Sequence, residues 1–205
     1  MTAVRTRHGV YSLALLLLVS LAARSYAADA PAPSAFVAEL AHKALLSAKD
    51  KTLTSAARRQ RLEGLLDADF DVPRIAGFVL GRRWLQASDT ERQQFTAVFR
   101  DFMVRTYSER FTEYNDDSFR IVGQREESPT STMVYTEISQ AASGQPVKLE
   151  WRVADRNGYK IVDMNVAGVS MALTQREEFA AVLQRNGGDL SSLIRQLQVK
   201  MGAQQ

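Results

Sequence analysis

From Ser34 onward, Phe36, Val37, Leu40, Ala44 and Leu45 recur at three- and four-residue spacing. That spacing predicts a helix with one buried face. A second helix is predicted over Thr54 to Leu66, with Ser55 as its cap and Arg58-Arg59-Gln60-Arg61 on its wet side. Asp71-Val72-Pro73 then reads as a helix start, with Asp71 as N-cap and Pro73 in the first turn. Ile75, Ala76, Val79 and Leu80 follow, and Gly81 stops the run. The strongest helix begins at Ser88. In Ser88-Asp89-Thr90-Glu91 the serine hydroxyl takes one free backbone N–H and Glu91 reaches back to another, a capping box. Phe95, Val98, Phe99, Phe102, Met103, Tyr107 and Phe111 continue as an aromatic-rich stripe to Tyr114-Asn115. That makes roughly 26 residues, or ~39 Å at ~1.5 Å per residue.

At Ser118 the period changes from helical to two. Phe119–Arg125, Thr132–Ser139, Val147–Val153 and Tyr159–Val166 read as strands. Val147-Lys148-Leu149-Glu150-Trp151-Arg152-Val153 alternates throughout, so one face is buried and the other wet. Ser128-Pro129, Ser143-Gly144-Gln145-Pro146 and Asp155-Arg156-Asn157-Gly158 are turn signals between them. Consecutive strands with short connections make an antiparallel meander. Two helices close the chain, Thr174–Asn186 and Asp189–Lys200, divided by Gly187-Gly188. The expected class is therefore α+β: N-terminal helices, a long central helix, a four-stranded antiparallel meander and C-terminal helices.

The N-terminus changes how the charge is read. Arg5, Arg7 and His8 precede an apolar stretch from Val10 to Leu21, and Ser25-Tyr26-Ala27 follows with small residues where a signal peptidase reads. The apolar stretch of about 12 residues falls short of the ~18–20 needed to span a bilayer. Residues 1–27 are therefore expected to be a cleavable export signal, 28–33 a linker and 34–203 a single domain that acts outside the cytoplasm. The full chain has 26 Lys+Arg against 23 Asp+Glu, net +3. The signal would carry off Arg5, Arg7 and Arg24 and no acidic residue, so basic and acidic side chains would balance. The electrostatic case for a nucleic-acid partner goes with them. The remaining length, about 178 residues, can bury one core without disulfides, and the 205 residues hold no cysteine.

Candidate catalytic chemistry is sparse. There is no thiol nucleophile, and His42 is the one histidine beyond the signal. No Gly-x-Ser-x-Gly elbow and no glycine-rich phosphate loop is present. Asp67-Ala68-Asp69-Phe70-Asp71 imitates the start of a calcium loop, but Val72 stands where glycine is needed and Phe78 where the closing glutamate belongs. An enzyme on this fold class would need an acid–base pair, and Asp163 with Tyr135 is the one pairing on offer; Asp163 also reads as an anchor for the strand end. No metal or cofactor is expected. What the chain has in abundance is apolar and aromatic surface on the long helix and the sheet. Either these groups pack against one another as core, or helix and sheet leave an apolar cavity between them, the usual form of a small-molecule site.

Specific blocks bear on that choice. Phe70-Asp71, Ile75-Ala76, Val79-Leu80-Gly81-Arg82-Arg83-Trp84, Gln93-Gln94-Phe95, Phe99 and Thr106-Tyr107 occur in this order. Tyr159-Lys160-Ile161-Val162-Asp163-Met164, Val166-Ala167-Gly168-Val169-Ser170 and Arg176 with Phe179 follow them. Over most of Phe36–Leu197 this resembles the MlaC / toluene-tolerance family. Two departures stand out: Tyr159 replaces a common tryptophan, and the run Met171-Ala172-Leu173-Thr174-Gln175-Arg176 is similar to the hopanoid-associated HpnM branch.

The resemblance implies a periplasmic lipid carrier on a nuclear-transport-factor-like or cystatin-like unit, with an apolar cavity between sheet and helices. It would be a monomer and not an enzyme. Its ligand would be a phospholipid, or a hopanoid or related polycyclic lipid. Its partners would be an inner-membrane ABC transporter complex and an outer-membrane lipoprotein complex. Face and family position together put Val79, Leu80, Trp84, Phe99, Phe102, Met103, Tyr107, Tyr135, Leu149, Trp151, Met164, Val166, Val169 and Met171 at the cavity wall. A small-molecule enzyme and a ligand-free adaptor in a membrane-biogenesis complex are the competing expectations.

Overall fold

The computed structural model describes residues 32–50, 52–108, 119–139 and 146–202. The expected signal, residues 28–31 of the linker, the end of the long helix beyond Ser108 and most of the Ser143–Pro146 turn lie outside them.

Helix α1 (Pro33–Lys49) starts with proline in its first turn, where the missing N–H costs nothing. In α2 (Ser55–Asp69) the cap is Thr54, one residue before the expected serine; its side chain accepts from Ala57 N at 3.1 Å. Helix α3 (Val72–Leu80) is capped by Asp71, which accepts from Arg74 N at 3.2 Å, and it ends at Gly81. Gly81 has φ +56°, and a Cβ there would lie 3.3 Å from the Arg176 guanidinium. Both facts make glycine the residue that lets the chain turn at once into the short α4 (Arg82–Gln86).

Helix α5 (Asp89–Ser108) opens with the expected box. Ser88 N donates to Glu91 Oε2 at 2.8 Å, and Glu91 N donates to Ser88 Oγ at 3.2 Å. Strands β1 (Phe119–Ser128), β2 (Ser131–Ser139), β3 (Pro146–Asp155) and β4 (Tyr159–Val166) pair antiparallel in chain order. A two-residue β5 (Val169–Ser170) joins the edge, a fifth strand where four were expected. It follows a tight turn at Ala167 (φ +50°) and Gly168 (φ +84°). Helix α6 (Met171–Arg185) begins directly after it, three residues earlier than its periodicity suggested, because Ser170 caps it by accepting from Leu173 N at 3.0 Å. Helix α7 (Leu190–Gly202) ends the described chain.

The apolar residues form two clusters. One joins α1 to the sheet: Val37 and Leu40 pack on Val134, Trp151, Val153 and Ile161. The other is helical. Phe179 of α6 meets the rings of Phe95, Phe99 and Phe102 from α5 at 6.0–6.1 Å between centroids, and Ile75, Val79, Leu80, Leu190 and Leu193 surround them. Such edge-on ring pairs each add ~0.5–1.5 kcal/mol beyond the area they bury. Phe70 touches both clusters. It forms a parallel bridge with Ile161, whose carbonyl accepts from Asp71 N at 2.9 Å.

Candidate functional site

Between the two clusters lies an apolar cavity of about 330 Å³, near the lower end of the ~300–1,000 Å³ typical of ligand sites. Helix α1 contributes Leu40, Ala41, Ala44 and Leu45, and α2 contributes Leu62, Leu65 and Leu66. Phe70 and Ile75 close the side toward α3, and α5 presents Phe99, Met103, Val104 and Tyr107. The sheet adds Phe119, Ile138, Leu149, Trp151, Asp163, Met164 and Val166, and the first turns of α6 add Met171, Ala172 and Gln175.

Strand register explains the sheet wall. Thr136 stands opposite Leu149, and Trp151 opposite Met164, so these side chains share one face. The polar groups among them are matched to each other. Trp151 Nε1 donates to Thr136 Oγ1 at 2.9 Å, and that hydroxyl donates to the Leu149 carbonyl at 3.2 Å. The indole can therefore turn its apolar edge inward at no hydrogen-bonding cost.

Asp163 anchors the edge where β4, β5 and α6 meet. Its Oδ1 accepts from Met164 N at 2.8 Å and Ala172 N at 3.1 Å. Its Oδ2 accepts from Ser170 Oγ at 2.7 Å, and Arg152 lies 3.7 Å away. On the outside, Arg100 of α5 makes a two-pronged contact with Asp67 of α2, both distances 2.7 Å. These hydrogen bonds hold the Asp67 carboxyl below the usual carboxylate range and tie two cavity walls together.

Of the positions expected at the wall, Phe99, Met103, Tyr107, Leu149, Trp151, Met164, Val166 and Met171 line the cavity. Six others are placed elsewhere. Val79, Leu80 and Phe102 are buried in the helical cluster, and Trp84 packs on its margin beneath the Arg92 guanidinium. Tyr135 stands opposite Glu150, and strand alternation puts it on the face away from Trp151 and Leu149. Val169 is 53% exposed on β5. The acid–base pairing of Asp163 with Tyr135 is not assembled either. Strand β3 lies between their strands, which holds them apart by about 10 Å at ~4.8 Å per strand.

The α1 and α2 positions, Phe70, Ile75, Val104, Phe119, Ile138, Asp163, Ala172 and Gln175 also line the cavity, beyond the positions expected there. One signal was available for α1. Its buried stripe carries small residues, Ala41 and Ala44, between the leucines, and small residues on an inward face leave space that large ones would fill.

The family model described as MlaC protein matches residues 38–199. The chain belongs to the MlaC family. Among curated MlaC relatives, the chain is 27% identical over 124 residues to the intermembrane phospholipid transport system binding protein MlaC of Haemophilus influenzae. That match covers 58% of this chain and 57% of the relative, so the chain spans little more than half of that protein's length. Among solved structures, the chain superposes on a phospholipid-binding protein from Ralstonia solanacearum, solved in complex with a phospholipid. The TM-score is 0.73 at 24% identity, covering 84% of this chain and 98% of that one. The two share the MlaC α+β fold.

Proposed function

We propose that this MlaC-family chain is a periplasmic carrier that holds a phospholipid by its acyl chains and moves it between the inner and outer membranes. The observation that carries this reading is the divided core. Two well-packed clusters leave between them a space walled almost wholly by aliphatic, aromatic and methionine side chains. An acyl chain entering it removes that wall from water, a gain of about 25 cal/mol per Å² of apolar surface. Chain ordering offsets much of the gain, which suits a carrier that must also release its load. The names of the Haemophilus and Ralstonia relatives support a phospholipid as ligand.

A hopanoid or related polycyclic lipid is a second reading, favoured by the Met171–Arg176 run at the start of α6. Both readings assign a binding role, and the pairing of Asp163 with Tyr135 lends an enzymatic reading no support, since the Asp163 oxygens are already engaged and Tyr135 lies two strands away. Delivery would involve an inner-membrane ABC transporter complex and an outer-membrane lipoprotein complex.

A vesicle assay tests the carrier role. Fluorescent phosphatidylethanolamine in donor vesicles should reach unlabelled acceptor vesicles several-fold faster with the protein present. A rate equal to the protein-free control would remove transport from the proposal.

A further inference from the structure

Different parts of the cavity wall are held in different ways. Backbone ladders hold the sheet, and the Asp163 carboxylate holds the start of α6 to β4 and β5. Phe179 locks α6 against the α5 rings. Helix α2 has no such seat. Leu66 is the one buried residue among its 15, and its inner face of Leu62, Leu65 and Leu66 looks on to the cavity. Toward α1 it is tied by Arg58, which donates to the Ser47 carbonyl at 3.4 Å and the Asp50 carbonyl at 3.2 Å. Toward α5 the tie is Arg100. It donates to both Asp67 oxygens at 2.7 Å and to Asp101 at 3.1 Å, with Glu63 at 3.9 Å.

Helical spacing sets this ion cluster outside the apolar wall. Arg100 shares an edge of α5 with Met103 and Val104, and Glu63 and Asp67 share an edge of α2 with Leu66; the three apolar side chains line the cavity. The seam between α2 and α5 is thus apolar within and closed on the outside by the Arg100 guanidinium. Each helix satisfies its backbone hydrogen bonds internally, so parting the two breaks side-chain contacts only, whereas parting strands would break a ladder. Asp67 and Asp101 are more than half exposed, and ion pairs this open to water hold weakly and reversibly. Met103, unbranched, gives way more easily than a branched or aromatic side chain.

Resting on the reading of this cavity as a lipid site, we propose that acyl chains enter and leave between α2 and α5. Arg100, with Asp67 and Glu63, is the latch on that portal.

Release is read from protein loaded with fluorescent phosphatidylethanolamine and mixed with excess unlabelled acceptor vesicles. Glu63→Ala with Asp67→Ala frees Arg100 from α2. Alanine suits a helix, and a carboxylate in the last turn opposes the helix dipole, so the helix is kept. Release should be about two- to fivefold faster than from wild type at low salt. Glu137→Ala, which removes the Arg120 ion pair between β1 and β2, should release at the wild-type rate. A second arm closes the portal. The chain holds no cysteine, so Asp67→Cys with Arg100→Cys offers two thiols that a bis-methanethiosulfonate can bridge after loading. The bridged species, identified by its intact mass, should release at least about fivefold more slowly than the unbridged variant, a barrier higher by roughly 1 kcal/mol. Reductant should restore the rate. Release from the double alanine variant no faster than from wild type, or matched by Glu137→Ala, would overturn the latch. Bridged protein that releases as fast as unbridged would overturn the portal. Wild-type protein that takes up no lipid would instead refute the carrier reading beneath both.

Discussion

Leu149→Arg should purify as a folded protein carrying little or no lipid. Leu149 sits at the centre of the sheet wall, between Thr136 on β2 and Val166 on β4. A guanidinium there projects into the space that an acyl chain would occupy. Burying an unpaired charge against hydrocarbon is far costlier than losing a methylene contact, so retained lipid should fall by at least about tenfold, ~1.4 kcal/mol. The fold should survive because the new side chain enters a cavity and not a packed core. Unchanged far-UV circular dichroism together with loss of extractable lipid is the expected pair of results. Val169→Arg is the matched control: that position is 53% exposed on β5 and should retain wild-type lipid. Equal lipid in Leu149→Arg and wild type would mean that the ligand lies elsewhere.

Asp163→Ala should cost about 3 kcal/mol of stability. Four groups converge on this one buried carboxylate: the N–H groups of Met164 and Ala172, the Ser170 hydroxyl and, at 3.7 Å, Arg152. Removing it strands buried donors at ~1–3 kcal/mol each, and for a domain of this size the melting temperature should drop by roughly 6–12 °C. Asp163→Asn keeps an acceptor oxygen and should lose less than half as much. A functional consequence follows from position. Asp163 fixes Ser170 and Ala172 at the start of α6, the turn that brings Met171, Ala172 and Gln175 to the cavity. Lipid retention should therefore weaken in Asp163→Ala even well below its melting temperature. Thermal denaturation alongside lipid quantification at 20 °C reads both effects; a melting temperature within about 2 °C of wild type, which is roughly 1 kcal/mol or less, would exclude Asp163 as the anchor.

Most of this architecture was legible in the sequence because each long element repeats its signal. The Ser88 box and the Asp71 cap are local hydrogen-bond patterns, and they form as the residue types dictate. Helix α4 and strand β5 have five and two residues, too few for any period to register. The cavity itself was less legible, and α5 shows why. Phe95, Phe99 and Phe102 lie along one side and Phe99, Met103 and Tyr107 along the next, with Phe99 common to both. One stripe packs on Phe179 and the other faces the cavity. Periodicity marks both as apolar and says nothing about what stands opposite. On β2 the difficulty is similar. Met133 and Tyr135 alternate with Val134, Thr136 and Ile138, so both faces read as buried; the register with β3 decides that the second set faces α1 and the cavity. Face and family position point to Val79, Leu80 and Trp84 as cavity wall, and the structure gives them to the helical cluster and its margin.

The most direct test of a lipid-filled cavity is mass spectrometry of an organic extract. The protein should be exported by a phospholipid-producing bacterial host and purified without detergent. About one lipid molecule per protein is expected from a cavity of this kind. A diacyl phospholipid should dominate, and it should disappear in Leu149→Arg. An extract with no lipid above the level of a non-binding periplasmic control would contradict the account.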